Sequence, residues 1–146
     1  MSAVVPRRAP VRLSLGRRLL ALAAVVLAGR LARRPPARIR ALLTRLARGA
    51  RPATYAEARA ARAAVEAVSL RCASDEGCLP RSLATVLLCR ARGQWPAWAV
   101  GVRARPPFGA HAWVEAEGRM VEERADASYF RVLFTVPAPR GRRPGR

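Results

Sequence analysis

At Gly93 the hydrophobic pattern of this chain changes period. Before it, apolar residues recur at helical spacing; after it come short runs rich in Val and Trp, "WAVGVR" (98–103), "AHAWVEA" (110–116) and "RMVEER" (119–124), which read as antiparallel strands. A tight turn at Glu117-Gly118 separates the last two, and "YFRVLFTV" (129–136) reads as a closing strand. One chain must therefore satisfy two geometries in succession, helices first and a small antiparallel sheet second. That order is α+β.

Four helices are expected upstream. The first runs from Leu13 to Ala32 and is broken by "RRPPAR", where Pro35 and Pro36 each remove an amide donor. Within it, Arg17 and Arg18 precede ten apolar residues, Leu19 to Ala28, a signal-peptide-like pattern. Ten residues fall short of the roughly 20 that span a bilayer, and a basic amphipathic helix follows at once, so a buried helix is the preferred reading. That second helix spaces Ile39, Leu42, Leu43 and Leu46 along one face, with Arg38, Arg40, Arg45 and Arg48 around the other and Gly49 as C-cap. Its cationic side reads first as a solvated face, and more sharply as an attachment to an anionic membrane surface or acidic peptide. "TYAE" (54–57) is a capping box that starts a third helix, expected to reach Leu70 and to bury Ala58, Ala61, Val65 and Val68. In the fourth, Gly77 allows a tight entry, Pro80 suits the first turn, Leu83, Val86, Leu87 and Cys89 or Arg90 follow helical spacing, and Gly93 ends it. Cys78 then lies at or just before a helix N-terminus.

The net charge of +19 is unevenly distributed. Every basic residue is Arg, with no Lys or Asn and Ile only at Ile39, a bias of GC-rich coding sequence that says little about ligands. Residues 1–52 hold 13 Arg and no acid, residues 140–146 hold 4 Arg and no acid, and residues 53–139 net only +2. The expected organisation is a disordered basic N-terminus (1–12), a basic apolar helical arm (13–52), a folded domain (53–137) and a disordered basic tail (138–146). Nucleic acid is disfavoured by the near-neutral body and the lack of an aromatic-studded basic face. Cys72, Cys78 and Cys89 are an odd set without paired short spacing, which points to a reducing, cytoplasmic setting and against a disulfide framework or a zinc site. A non-catalytic reading remains: an Arg-rich module that binds a membrane surface or polyanion, with affinity falling steeply with salt.

The chemistry-bearing residues are few. A Cys at a helix N-terminus sits where unpaired amides and the helix dipole favour its thiolate; Cys72 and Cys89 read as small buried residues. A nucleophilic Cys78 needs a base, and His111 is the chain's only histidine. On its strand, His111 shares a face with Trp113 and Glu115, but Glu115 is too far along to orient the imidazole. Across the hairpin, a three-residue turn pairs His111 with Glu123, whereas a two-residue turn puts Glu122 and Arg124 on its face. Spacing leaves both open.

The stretch "GCLPRSLATVLLCRARGQWPAWAVGVRARPPFGAHAWVEAEGRMVEE" closely resembles the B proteins of lasso-peptide biosynthesis, leader-peptide cysteine proteases of the transglutaminase-like superfamily. The resemblance lies in a Cys-Leu-Pro-Arg-Ser opening at Cys78–Ser82, a Gly-Val pair at Gly101 and Val102, an Ala-His-Ala-Trp-Val-Glu strand at Ala110–Glu115, and an acid twelve residues past the His, Glu123. It is specific over residues 70–124 and looser from 13 to 136. It implies a papain-like, transglutaminase-like α+β core and a catalytic Cys78, His111 and Glu123. It also implies cytoplasmic action on a lasso-peptide precursor, a separate leader-binding protein, since the roughly 50 residues before the third helix read as basic helices rather than as a fused recognition domain, and a partner ring-closing cyclase. Some relatives are associated with ATP dependence, but no phosphate-binding glycine loop is present, so no cofactor is expected.

Overall fold

The computed structural model describes residues 11–140. The Ser14 hydroxyl accepts from the Arg17 amide and starts α1, Leu15–Leu31. Its inward face consists of Ala21, Ala24 and Ala28, while Leu15, Leu19, Leu22 and Val26 face outward. The Pro35-Pro36 break leads into α2, Pro36–Ala47, which turns Ile39 and Leu43 inward and leaves Leu42 exposed. The expected capping box is present: the Thr54 hydroxyl accepts from the Glu57 amide and the Glu57 carboxylate from the Thr54 amide at the start of α3, Tyr55–Val68. The helix stops short of Leu70 because Ser69 becomes extended, and its hydroxyl accepts from the Cys72 amide to cap a separate turn, α4, Leu70–Ala73. Val68 is consequently only partly buried, and Leu70 is exposed.

Gly77 precedes α5, Cys78–Ala91, with φ −89°. Here glycine is required by space rather than by a left-handed backbone: a Cβ would lie 1.8 Å from the Arg71 carbonyl oxygen. Four strands form one antiparallel sheet in the order β5-β4-β3-β6, namely β3 (Ala97–Arg103), β4 (Ala110–Ala116), β5 (Arg119–Met120) and β6 (Phe130–Val136). β5 is much shorter than the run 119–124 suggested. A pair missed in the sequence, β1 (Arg51–Pro52) parallel to β2 (Gln94–Trp95), ties the end of the N-terminal segment to the end of α5.

The fold is α+β, with α5 at its centre, packed against α1, α3 and β4. Leu83, Val86 and Leu88 of α5 join Trp95, Trp98 and Val114 in a continuous core that also takes in Ala21, Ala24 and Ala28 of α1 and Ile39 and Leu43 of α2. The residues expected as an arm and those expected as a domain thus share one interior. Most of the termini expected to be disordered, 1–10 and 141–146, lie outside the described residues.

Candidate active site

Cys78 is the first residue of α5 and is half-buried. β5 pairs only with Glu115 and Ala116, so the edge of β4 from Ala110 to Trp113 has no strand partner on that side. There the Ala112 amide donates to the Cys78 sulfur, and the His111 side chain hydrogen-bonds with it. Helix start and open sheet edge together bring the two expected residues into contact.

The imidazole is held by aromatic neighbours and by a carboxylate. It stacks on Phe130 (4.9 Å between centroids) and on Trp113 (5.9 Å). Trp113 is seated by the absence of a side chain at Gly101, where a Cβ would fall 2.9 Å from the indole and 2.6 Å from the Arg131 carbonyl oxygen. His111 Nε2 lies 3.0 Å from Glu123 Oε2, which leaves Nδ1 for the thiol. Glu115, the acid nearest in sequence, accepts from the Trp113 indole at 2.8 Å instead.

Glu123 reaches His111 by a route that strand parity did not anticipate. The hairpin has the two-residue turn, with Glu117 (φ 53°) and Gly118 (φ 74°) between paired Ala116 and Arg119. A ladder continued in that register would put Glu122 and Arg124 beside His111. It does not continue: after the Val121 amide bonds the Val114 carbonyl, Glu122 adopts φ 54° and the chain turns, so that Glu123 faces the imidazole. The three-residue turn associated with Glu123 in the sequence reading is therefore wrong. The partner is Glu123, and a left-handed residue produces the pairing.

Arg62, which sequence reasoning overlooked, holds this segment from α3. Its Nη1 donates to Glu123 Oε1 (3.0 Å) and to the Val121 carbonyl (2.7 Å), while its Nε donates to Glu66 (2.8 Å). One and two turns earlier on the same face, Arg59 pairs with the Glu122 carboxylate at 2.8 Å and the Tyr55 hydroxyl accepts from the Glu122 amide.

The electrostatics follow from these contacts. Hydrogen bonds to Cys78 and then to Glu123 favour the imidazolium over the cost of burial and push the His111 pKa up to about 9. Burial alone would raise the Cys78 thiol, but hydrogen bonds from His111 and the Ala112 amide outweigh it and leave the pKa below its ordinary value. Glu123 likewise resists burial and stays below the usual carboxylate range, stabilised by His111 and the Arg62 charge. The result favours a thiolate–imidazolium pair beside an ionised carboxylate. Cys89, by contrast, is buried and pushed up to about 12, a structural thiol, and Cys72 is also buried.

Beside Cys78 and His111 opens a cleft of about 370 Å³. Among the described residues, no cluster of three or more His, Cys, Asp or Glu side chains could hold a metal ion, and no helix is long and apolar enough to cross a membrane. The family model described as "Transglutaminase-like superfamily" matches residues 21–135. No curated protein and no solved structure matches the chain.

Proposed function

The chain belongs to the transglutaminase-like superfamily, which includes cysteine peptidases, and on that premise we propose that it is a cysteine peptidase removing the leader from a lasso-peptide precursor. The observation that carries the chemistry is the contact of a helix-starting Cys78 with a His111 whose far nitrogen is committed to Glu123. The sequence resemblance over residues 70–124 supports the choice of substrate.

In this reading the Cys78 thiolate attacks the carbonyl carbon at the end of the leader, and the carbonyl π electrons move to its oxygen. In the same reading the Cys78 backbone amide, at the start of a 14-residue helix, donates to that oxyanion. Collapse breaks the C–N bond as the His111 imidazolium protonates the leaving amine. Water, deprotonated by His111, then hydrolyses the thioester. Glu123 keeps the ring oriented and supports its charge. A separate leader-binding protein delivers the precursor, and a cyclase consumes the freed amine. No cofactor is assigned, and action in the cytoplasm is part of the same proposal.

The test is cleavage of the cognate precursor in the presence of the leader-binding protein. Cys78→Ala should abolish it, a loss of at least about a thousandfold for a missing nucleophile; an Ala variant that cuts at the wild-type rate overturns the mechanism. Glu123→Gln should slow cleavage by about 10- to 100-fold, while Glu122→Gln should have a much smaller effect.

A second reading draws on exposed features of α1, where Leu15, Leu19, Leu22 and Val26 face solvent near Arg17, Arg18 and Arg30. Such a surface suits peripheral contact with an anionic membrane or an acidic partner, with or without catalysis. Binding to anionic vesicles that disappears at high salt would support it.

A further inference from the structure

The cleft beside Cys78 and the His111 segment of β4 is completed by other parts of the chain. Ala32, Arg34, Pro36 and Ile39 come from the α1–α2 junction and the start of α2; Trp98, Val100 and Phe134 come from β3 and β6; Leu79 follows the nucleophile itself. Its walls are apolar. The one polar group that could have faced a ligand from Trp98, the indole N–H, is already donated to Ser82 Oγ at 3.0 Å. Phe134 packs tilted against Trp98 at 5.8 Å and carries the Arg40 guanidinium over its ring at 5.4 Å. Among the described residues, the exposed Arg34 is the one charged side chain lining the cleft outside the Cys78–His111 pair, and no carboxylate lines it.

We propose that this cleft is the specificity pocket of the enzyme, receiving an aliphatic or aromatic side chain of the peptide within two residues of the scissile bond and rejecting a basic one. The inference rests on the cysteine-peptidase reading and adds the substrate class to it. An apolar side chain replaces water against Ile39, Val100 and Phe134, with gain in proportion to the area covered. A Lys or Arg side chain meets no carboxylate there and shares the cleft with Arg34. The pocket also gives the N-terminal helices a role in the reaction, since without residues 32–39 one wall is missing.

Covalent capture tests this without the precursor. Peptidyl chloromethyl ketones alkylate a thiolate, the C–S bond forming as chloride leaves, and intact-mass measurement gives the rate at Cys78. Four N-acetyl dipeptide probes are compared, Gly-Gly, Leu-Gly, Gly-Leu and Arg-Gly, with iodoacetamide as a small reference. One leucyl probe should label Cys78 at least about tenfold faster than Gly-Gly, the worth of one well-buried side chain, and the arginyl probe should gain nothing. Val100→Trp should bring the leucyl-to-glycyl ratio towards one, and Phe134→Ala should shift the preference to a tryptophyl probe; either change suffices if the other variant fails to fold. Equal rates for the glycyl and both leucyl probes, with Cys78 still far more reactive than Cys72 and Cys89, overturn the pocket and leave the peptidase reading standing. A Cys78 no more reactive towards iodoacetamide than Cys72 and Cys89 overturns the nucleophile assignment and the pocket with it.

Discussion

A single imidazole makes the charge state of this site directly observable. With one His in the chain, the ring protons in an NMR titration report His111 alone, and the midpoint should lie at about 9 rather than at the ordinary 6.5. Because the folded pKa is raised, the stabilisation tied to it is fully present below about 6.5 and is lost as pH rises through about 9. Glu123 runs the other way: its folded pKa is depressed, so its contribution is present above the ordinary 4.5 and is lost as pH falls through the folded value. Peptidase activity should therefore decline on the alkaline side near 9, and Glu123→Gln should move both the NMR midpoint and this limb downward. A midpoint that stays at about 9 in Glu123→Gln would mean that Cys78 alone holds the proton. Cys78 and His111 were legible in the sequence because a helix start and a unique residue are local signals. Glu123 was not legible from strand parity, since a ladder through the two-residue turn leads to Glu122 and Arg124; a positive φ at one residue undid the count, and only the family resemblance singled it out.

At the scale of elements, the site depends on α3 as much as on the helix and strand that carry the reacting groups. Tyr55, Arg59 and Arg62 follow one another at intervals of four and three, and together they engage residues 121–123. Nothing in the sequence singles out this spacing, because the groups it meets lie about 60 residues away and no periodicity connects them. The helices themselves were well predicted, while the third strand was overextended to residue 124: the ladder ends at Met120 and the chain turns at Glu122, whose φ is 54°. Two effects of removing Arg62 have opposite signs, which makes its role testable. If Arg62 were only a nearby positive charge, Arg62→Gln would raise the His111 pKa. If it holds Glu123 in place, the carboxylate swings away, the imidazolium loses its partner and the pKa falls towards 6.5. We expect the fall, with activity reduced by about tenfold or more through loss of ring orientation. Arg59→Gln should change activity less than about twofold, since an ion pair with an exposed Arg contributes little.

For the molecule as a whole, the N-terminal helices decide which experiments are informative. The sequence suggested an appendage because residues 1–52 carry 13 Arg and no acid, and charge segregation is easily mistaken for structural separation. The contact that joins α1 to the rest is made by alanines, whose small side chains allow helices to approach closely but leave only a faint periodic signal beside the surrounding leucines. Ala24→Leu should overpack this contact and destabilise the protein by roughly 1–3 kcal/mol in urea unfolding, a result not expected of a detached arm. Deleting residues 1–52 would then remove core residues and one wall of the cleft together, so loss of polyanion binding on deletion could not be ascribed to charge. Reversing exposed charges separates the two. Arg17→Glu, Arg18→Glu and Arg30→Glu lie on a helix whose packing is made by other residues. If the basic surface binds anionic vesicles, the triple variant should lose most of that binding and show a weaker dependence of affinity on salt, while Cys78 labelling remains at the wild-type rate. If vesicle binding survives the reversal, the outward apolar stripe of α1 is not held to the membrane by its flanking charges, and the reading of this surface as an electrostatic anchor fails.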